Sequence, residues 1–277
     1  MKTLKDHVIL YDADCPLCKV YTSGFIKYKL LDNDGRTAFD QFDFGNHSHI
    51  NKNLACDKIV LLDKNTREVT YGIDSLIKIL AANFPWVKKI AGMHLIYAVL
   101  TVLYSFISFN RKMVAPGDAS KTSSCVPSQN VGYRLLFIGL SGLLVHVIVT
   151  WYFNRFLGEH LSHSYDLPDI VLFFAQVCFQ CLIFYVLKQQ NYLDYAGQIA
   201  FVSVLGALGL LASGFGLNIL SGFGLDVSFL SVVCYGAVFF FMFMEHLRRV
   251  HLYHWSAWLC VSWVIFRIII YPLVFKY

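Results

Sequence analysis

Apolar positions follow two different rhythms along this chain. Up to about residue 83 they come in short bursts divided by polar turns. His7–Asp12 carries the run Val8-Ile9-Leu10-Tyr11 and predicts a first strand. Pro16–Leu31 has helical spacing, with Leu17, Val20, Tyr21, Phe25 and Ile26 on an apolar side, and Pro16 suits a helix start because its missing N–H has no partner there anyway. Asn33-Asp34-Gly35 is a turn, and Arg36–Phe42 predicts a second strand. Residues 44–56 are polar and undecided. Lys58–Leu62 and Glu68–Tyr71 frame a hairpin over Asp63–Arg67, and Asp74–Asn83 predicts a helix burying Leu76, Ile77, Ile79 and Leu80. The resulting order, β-α-β-(α)-β-β-α, is that of a small thioredoxin-like α/β layer.

From residue 132 the rhythm changes to apolar runs of about twenty residues, the length that crosses a bilayer as helix. Five spans are expected, at about 132–153, 167–187, 195–214, 226–246 and 254–275. The loop around Ser213–Leu225 repeats Ser-Gly-Phe-Gly-Leu and is expected as a hairpin or shallow re-entrant turn. Ile90–Phe109 is apolar enough to span, yet His94, Thr101, Ser105 and Ser108 interrupt it. A span there would carry Arg111, Lys112 and Lys121 across the membrane, which the positive-inside rule disfavours. It is therefore expected as helix packed in or against the head. The expected domains are 1–126 and 132–277, an α/β head and an all-α membrane bundle.

Charge follows the same division. Residues 1–131 hold 16 of the 23 Lys+Arg and 12 of the 18 Asp+Glu, leaving seven and six for the remainder. With the head inside, Arg134, Lys188, Arg248 and Arg249 fall on the cytoplasmic side and Arg155 and Lys276 outside, a modest bias toward that orientation. Met1–His7 leads into polar sequence rather than a signal-peptide core, so the head is expected in the cytoplasm and the body in an inner or plasma membrane. A net charge of +5 makes no case for nucleic acid. Eight cysteines in a cytosol-facing chain read as catalytic or metal-binding rather than as a disulfide framework.

The sharpest chemical signal is Asp14-Cys15-Pro16-Leu17-Cys18, directly after the first strand. Two thiols three residues apart at a helix start can close a short disulfide ring, and the helix N-terminus favours a thiolate. Asp12 and Asp14 would either tune that site or cap the helix. Zinc can use the same pair, with His49 and Cys56 as further donors. An apolar strand ending in Asp-x-Asp also fits haloacid-dehalogenase-like phosphatases, although no later acidic pair completes a magnesium site.

Tyr11-Asp12-Ala13-Asp14-Cys15-Pro16-Leu17-Cys18 resembles the signature of the DCC family of thiol-disulfide oxidoreductases, small thioredoxin-like domains. The resemblance continues through Asp34-Gly35-Arg36 and Phe39, Tyr71–Leu76, and Tyr104 with Asn110-Arg111, covering roughly residues 5–126. Ala13 departs from the family's usual glycine; a positive φ there would strain the loop. The resemblance implies a redox role. Cys15, nearer the helix start and expected to be more exposed, would be the nucleophile; Cys18 would resolve the mixed disulfide. Asp14 would accept a proton or raise the thiol pKa by like charge. Protein or low-molecular-weight thiols would be the partners.

Other signals weigh less. Cys125 reads as a third redox thiol or an inert linker cysteine. Cys178 and Cys181 share a helix face mid-span and suit packing, or a membrane redox relay to quinone. His146, His246, His251 and His254 form no convincing haem pair. Arg267 in the last span demands a polar contact, for which Glu245 is a candidate. Gly139-x-x-Gly142 and Gly206-x-x-Gly209 suit close helix packing. The leading expectation is a membrane-tethered thiol-disulfide oxidoreductase. Its rival is a transporter or assembly protein whose head is a redox-sensing or zinc-stabilised module.

Overall fold

The structure, a computed structural model, describes residues 3–117, 125, 128–158 and 169–274, with side chains up to Ile269. The chain divides into two compact units, Met1–Tyr133 and Arg134–Tyr277.

The first unit is built on a mixed four-stranded sheet in the order β2-β1-β3-β4, formed by β1 (His7–Tyr11), β2 (Arg36–Ala38), β3 (Val60–Asp63) and β4 (Val69–Tyr71). β1 runs parallel to β2 and antiparallel to β3, and β3 to β4 is the expected hairpin. Side chains alternate across a strand, so the continuous apolar runs of β1 and β3 need cover on both faces. Both are covered. Ile9 and Leu61, paired in register, face a core with Leu31, Ile59 and Ile79; Val8, Leu10, Val60 and Leu62 face another with Ile50.

The first core is closed by α1 (Pro16–Lys27) through Tyr21 and Phe25, and by α3 (Ile73–Ala81). Val20, expected to be inward on α1, is 69% exposed; Cys18 and Thr22 take the buried positions. The helix ends short of the expected Leu31 because Lys29 adopts φ 54°, and the amides of Lys29 and Leu30 fold back onto the Ile26 and Phe25 carbonyls. The second strand is shorter than expected: after Ala38 the chain makes a 3₁₀ turn, Phe39–Gln41, with Phe39 buried. The undecided stretch contributes α2 (Lys52–Asp57), whose N-cap Asn51 accepts from the Leu54 amide at 3.0 Å. Gly72 precedes α3 at φ 65°, a conformation that suits glycine, while its amide donates to the Ile59 carbonyl at 2.8 Å.

α4 (Pro85–Ala91) and α5 (His94–Val114) meet at a bend of 97°. α5 is not apolar all round. Ser108, Asn110, Arg111 and Met113 are buried in the head, whereas Leu95, Val99, Val102 and Leu103 are exposed. Of the interrupting polar residues Ser108 alone is buried, donating to the Asp57 carbonyl; Thr101 and Ser105 are half-buried and His94 is exposed. α4 with α5 is together long and apolar enough to count as one bent span.

The second unit is helical: α6 (Val131–Tyr152, prolonged by a π turn, Phe153–Leu157), α7 (Asp169–Val186), α8 (Tyr192–Gly222), α9 (Ser228–Leu252) and α10 (Trp258–Val274). α6 begins just ahead of the division between the units. Among the described residues four helices, Val131–Leu157 with its π turn, α7, α8 and α9, are long and apolar enough to cross a membrane, or five if the bent pair α4–α5 is one span. α10, where the fifth span was expected, has 17 residues, and its expected end at 275 lies outside the described residues, as do the start of the second expected span and Lys121 and Lys276.

The expected re-entrant turn is instead helix. α8 runs through the first Ser-Gly-Phe-Gly-Leu copy to Gly222, with Gly214 close against Trp151 and Phe156, and the chain turns only at the second copy, where Gly224 has φ 79°. At Gly206 a Cβ would collide with the Met242 side chain of α9. One end of the unit is polar. Arg134 pairs with Asp194 at 3.0 Å, Gln198 donates to the Tyr253 hydroxyl at 2.9 Å, and Arg249 bonds Gln198 and Glu245. Glu245 is therefore engaged by Arg248 and Arg249, not by Arg267, which instead lies over the Trp263 ring at 5.4 Å.

Candidate functional site

The Cys15–Cys18 pair stands where β1 gives way to α1. Cys15 is itself the N-cap: its backbone is extended (φ −92°, ψ 109°) and its Sγ accepts the Cys18 amide at 3.3 Å. The aspartates do not cap the helix. Asp12 Oδ1 accepts the Asp14 amide at 2.9 Å, which tightens the turn leading into the cysteines. Ala13 has no positive φ, so the alanine does not strain this loop.

Both thiols are free and both are buried, Cys15 at 1% and Cys18 at 3% exposure. Cys15 is therefore not the more exposed partner. The two differ in acidity instead. Cys18 donates to the Cys15 sulfur, and this bond with the Cys18 amide and the Arg111 charge outweighs burial, lowering Cys15 from 9.0 to about 7. The same bond and burial push Cys18 strongly up. One thiol is thus partly ionised near neutrality while the other holds its proton.

Arg111, from α5, lies beneath the pair. Its Nη2 is 3.4 Å from Asp12 Oδ2 and 3.0 Å from the Cys56 carbonyl, and its Nη1 is 3.5 Å from Ser108 Oγ. Arg111 and Asp12 are 8% and 6% exposed, so each charge relies on the other. Tyr104, two turns earlier on the same face of α5, accepts the Ile59 amide at 2.8 Å and fastens α5 to the start of β3. A cavity of about 330 Å³ opens beside Cys18, Asp12 and Arg111, walled by Tyr21, Tyr104 and Leu80. It is large enough for part of a small substrate and mostly apolar.

Other expected site residues are scattered. Asp14 is half-buried. His49 is exposed and stands ring to ring with His47, so Cys15, Cys18, His49 and Cys56 are not gathered as a zinc site. Among the described residues no group of three or more His, Cys, Asp or Glu is arranged to hold a metal ion. Cys178 is exposed on α7 and Cys181 half-buried. His246 is buried against the Tyr195 hydroxyl at 3.2 Å, and His146 lies 3.3 Å from Thr150.

Two features escaped sequence reasoning. Arg111 lies 99 residues from Asp12, too far along the chain for spacing to link them. Cys56 and Cys125 are buried together with Phe39 in one small cluster, close to the same guanidinium. The one available signal was that both are cysteines in an otherwise polar stretch. Comparison of the chain with protein-family models, curated proteins and solved structures finds no match to any of them.

Proposed function

We propose that this chain is a membrane-anchored thiol-disulfide oxidoreductase of the DCC type, acting through Cys15 and Cys18. The observation that carries it is the unequal pair itself: a Cys15 sulfur brought to about pKa 7 by a neighbour that keeps its proton. The Cys15 thiolate attacks a substrate disulfide, forming a mixed disulfide and expelling one substrate thiolate. Cys18 then loses its proton and attacks Cys15, closing the Cys15–Cys18 disulfide and releasing the second substrate thiol. The reverse sequence oxidises a dithiol. Strand order β2-β1-β3-β4 with only β2 parallel to β1, and a Cys-x-x-Cys opening the first helix, supports a thioredoxin-like head. Arg134 and Arg249 at the same polar end of the helical unit support a cytoplasmic head beside an inner membrane.

The test is thiol trapping of the full-length protein across a glutathione series, with zinc assayed on the same samples. A reversible two-electron transition in the peptide containing Cys15 and Cys18, lost in Cys15→Ser, is expected. One zinc per chain and no transition would overturn the reading.

The rival, a functional membrane body under a redox-sensing head, is favoured by one observation. A cavity of about 80 Å³ in the helical unit is lined by Arg267 and Gln176, whose Nε and Nε2 are buried without a hydrogen-bond partner among the described residues. Under that reading Cys15→Ser leaves the body's activity in place and removes only its redox control.

A further inference from the structure

Two cysteines outside the Cys15–Cys18 site are brought together from distant parts of the chain. Cys56 sits in the last turn of α2, 7% exposed, and Cys125 follows α5, 3% exposed; with Phe39 they form one buried cluster. Each thiol acts on the other's acidity, Cys125 lowering Cys56 and Cys56 raising Cys125, as neighbours within that cluster do. The contact is braced by the adjoining residues. The Ser128 amide and hydroxyl both donate to the Asp57 carboxylate, at 2.6 and 2.7 Å, so the residue after Cys56 grips the chain just beyond Cys125. Arg111 Nη2 holds the Cys56 carbonyl from the other side. Two buried cysteines packed in one cluster beside an independent polar clamp are the arrangement from which a disulfide can close.

We infer that Cys56 and Cys125 are a second redox-active dithiol, oxidised by a low-molecular-weight disulfide to a bond that ties α2 to the chain entering the first apolar helix. In the net reaction two S–H bonds break and one S–S bond forms. Two electrons reduce the oxidant disulfide to two thiols, and the two protons released from Cys56 and Cys125 go to those thiols. Exchange begins at Cys56, the less strongly raised of the two thiols, forming a mixed disulfide that Cys125 resolves. Burial raises both thiols, so this pair exchanges more slowly than Cys15 at neutral pH. The inference does not depend on Cys15 and Cys18 being catalytic.

The test uses the full-length protein in detergent micelles, reduced, equilibrated across a glutathione and glutathione-disulfide series, acid-quenched, alkylated in denaturant and mapped without reduction. A cross-linked pair of peptides containing Cys56 and Cys125 is expected, appearing reversibly and more slowly than the Cys15–Cys18 disulfide. The Cys15→Ser/Cys18→Ser variant keeps that cross-link, whereas Cys125→Ser abolishes it. If wild type shows Cys56 and Cys125 fully alkylated at every ratio, or joined to other cysteines instead, the inference is overturned whatever the variants do. Loss of the cross-link in Cys15→Ser/Cys18→Ser would overturn direct oxidation by the small disulfide. Failure of the Cys15–Cys18 transition alone would sink the proposed function and leave the second pair standing.

Discussion

Arg111 and Asp12 form a buried ion pair, Nη2 to Oδ2 at 3.4 Å, directly beneath the Cys15–Cys18 turn. The two charges act on Cys15 in opposite senses: the guanidinium favours its thiolate and the carboxylate opposes it. Asp12→Asn keeps an oxygen for the Asp14 amide and removes the opposing charge. The alkylation rate of Cys15, followed by peptide mapping across pH, then has a midpoint below the wild-type value near 7. A midpoint that stays or rises would mean that Asp12 serves Cys15 chiefly by positioning Arg111.

Cys18 is the largest influence on Cys15, through the S–H it donates. Cys18→Ala removes that donor and moves the alkylation midpoint of Cys15 up from about 7 toward the ordinary 9.0. The sign for stability follows. A group that is more acidic folded than unfolded contributes stability fully present above its unfolded value and lost as pH falls through its folded value. Reduced wild type therefore loses that contribution between about pH 9 and 7, and Cys18→Ala has less of it to lose. Thermal midpoints of the two reduced proteins across that window check it.

Tyr104 reaches 45 residues back to accept the Ile59 amide at 2.8 Å. Tyr104→Phe keeps the ring packing and leaves that part-buried N–H without its acceptor, a loss of about 1–3 kcal/mol. Hydrogen exchange at the Ile59 amide is expected to accelerate, while the amides of β1 and β2 change less. Unchanged exchange at Ile59 would mean that water replaces the hydroxyl.

How far these relationships were legible depends on their span along the chain. The β1 strand and the β3–β4 hairpin were legible because an apolar run and a polar turn are written within a few residues, and Cys15 with Cys18 declared a helix-start pair for the same reason. Helix ends were less legible: Lys29 stops α1 by a left-handed turn that lysine does not advertise. The Ser-Gly-Phe-Gly-Leu repeat signalled a loop on glycine content alone, whereas the first copy is helix with Gly214 against Trp151 and Phe156, and only the second copy turns. The Arg111 pair and the Cys56–Cys125 contact were invisible, because tertiary closure makes them and no local period records it. Val20, outward on α1 despite being apolar, shows the reverse error: helical spacing names a face but not its centre.

Arg134 and Asp194 give the last prediction, in the helical unit. Their 3.0 Å pair has side-chain exposures of 8% and 25%, so the arginine is shut in while the carboxylate still reaches the edge. Removing one partner of a pair in such surroundings leaves the other charge desolvated, a cost that approaches about 3 kcal/mol when both are fully buried and is smaller here because Asp194 is partly exposed. Asp194→Leu takes a carboxylate from the more buried Arg134 and is expected to lower the thermal midpoint in detergent more than Arg134→Met does, since the carboxylate of Asp194 reaches water. The double variant Arg134→Met/Asp194→Leu recovers part of the loss, because an apolar pair carries no desolvation cost. If the double variant is instead as unstable as the sum of the singles, the pair acts through the other bonds of that polar end, with Gln198 and Tyr253 as the residues to change next.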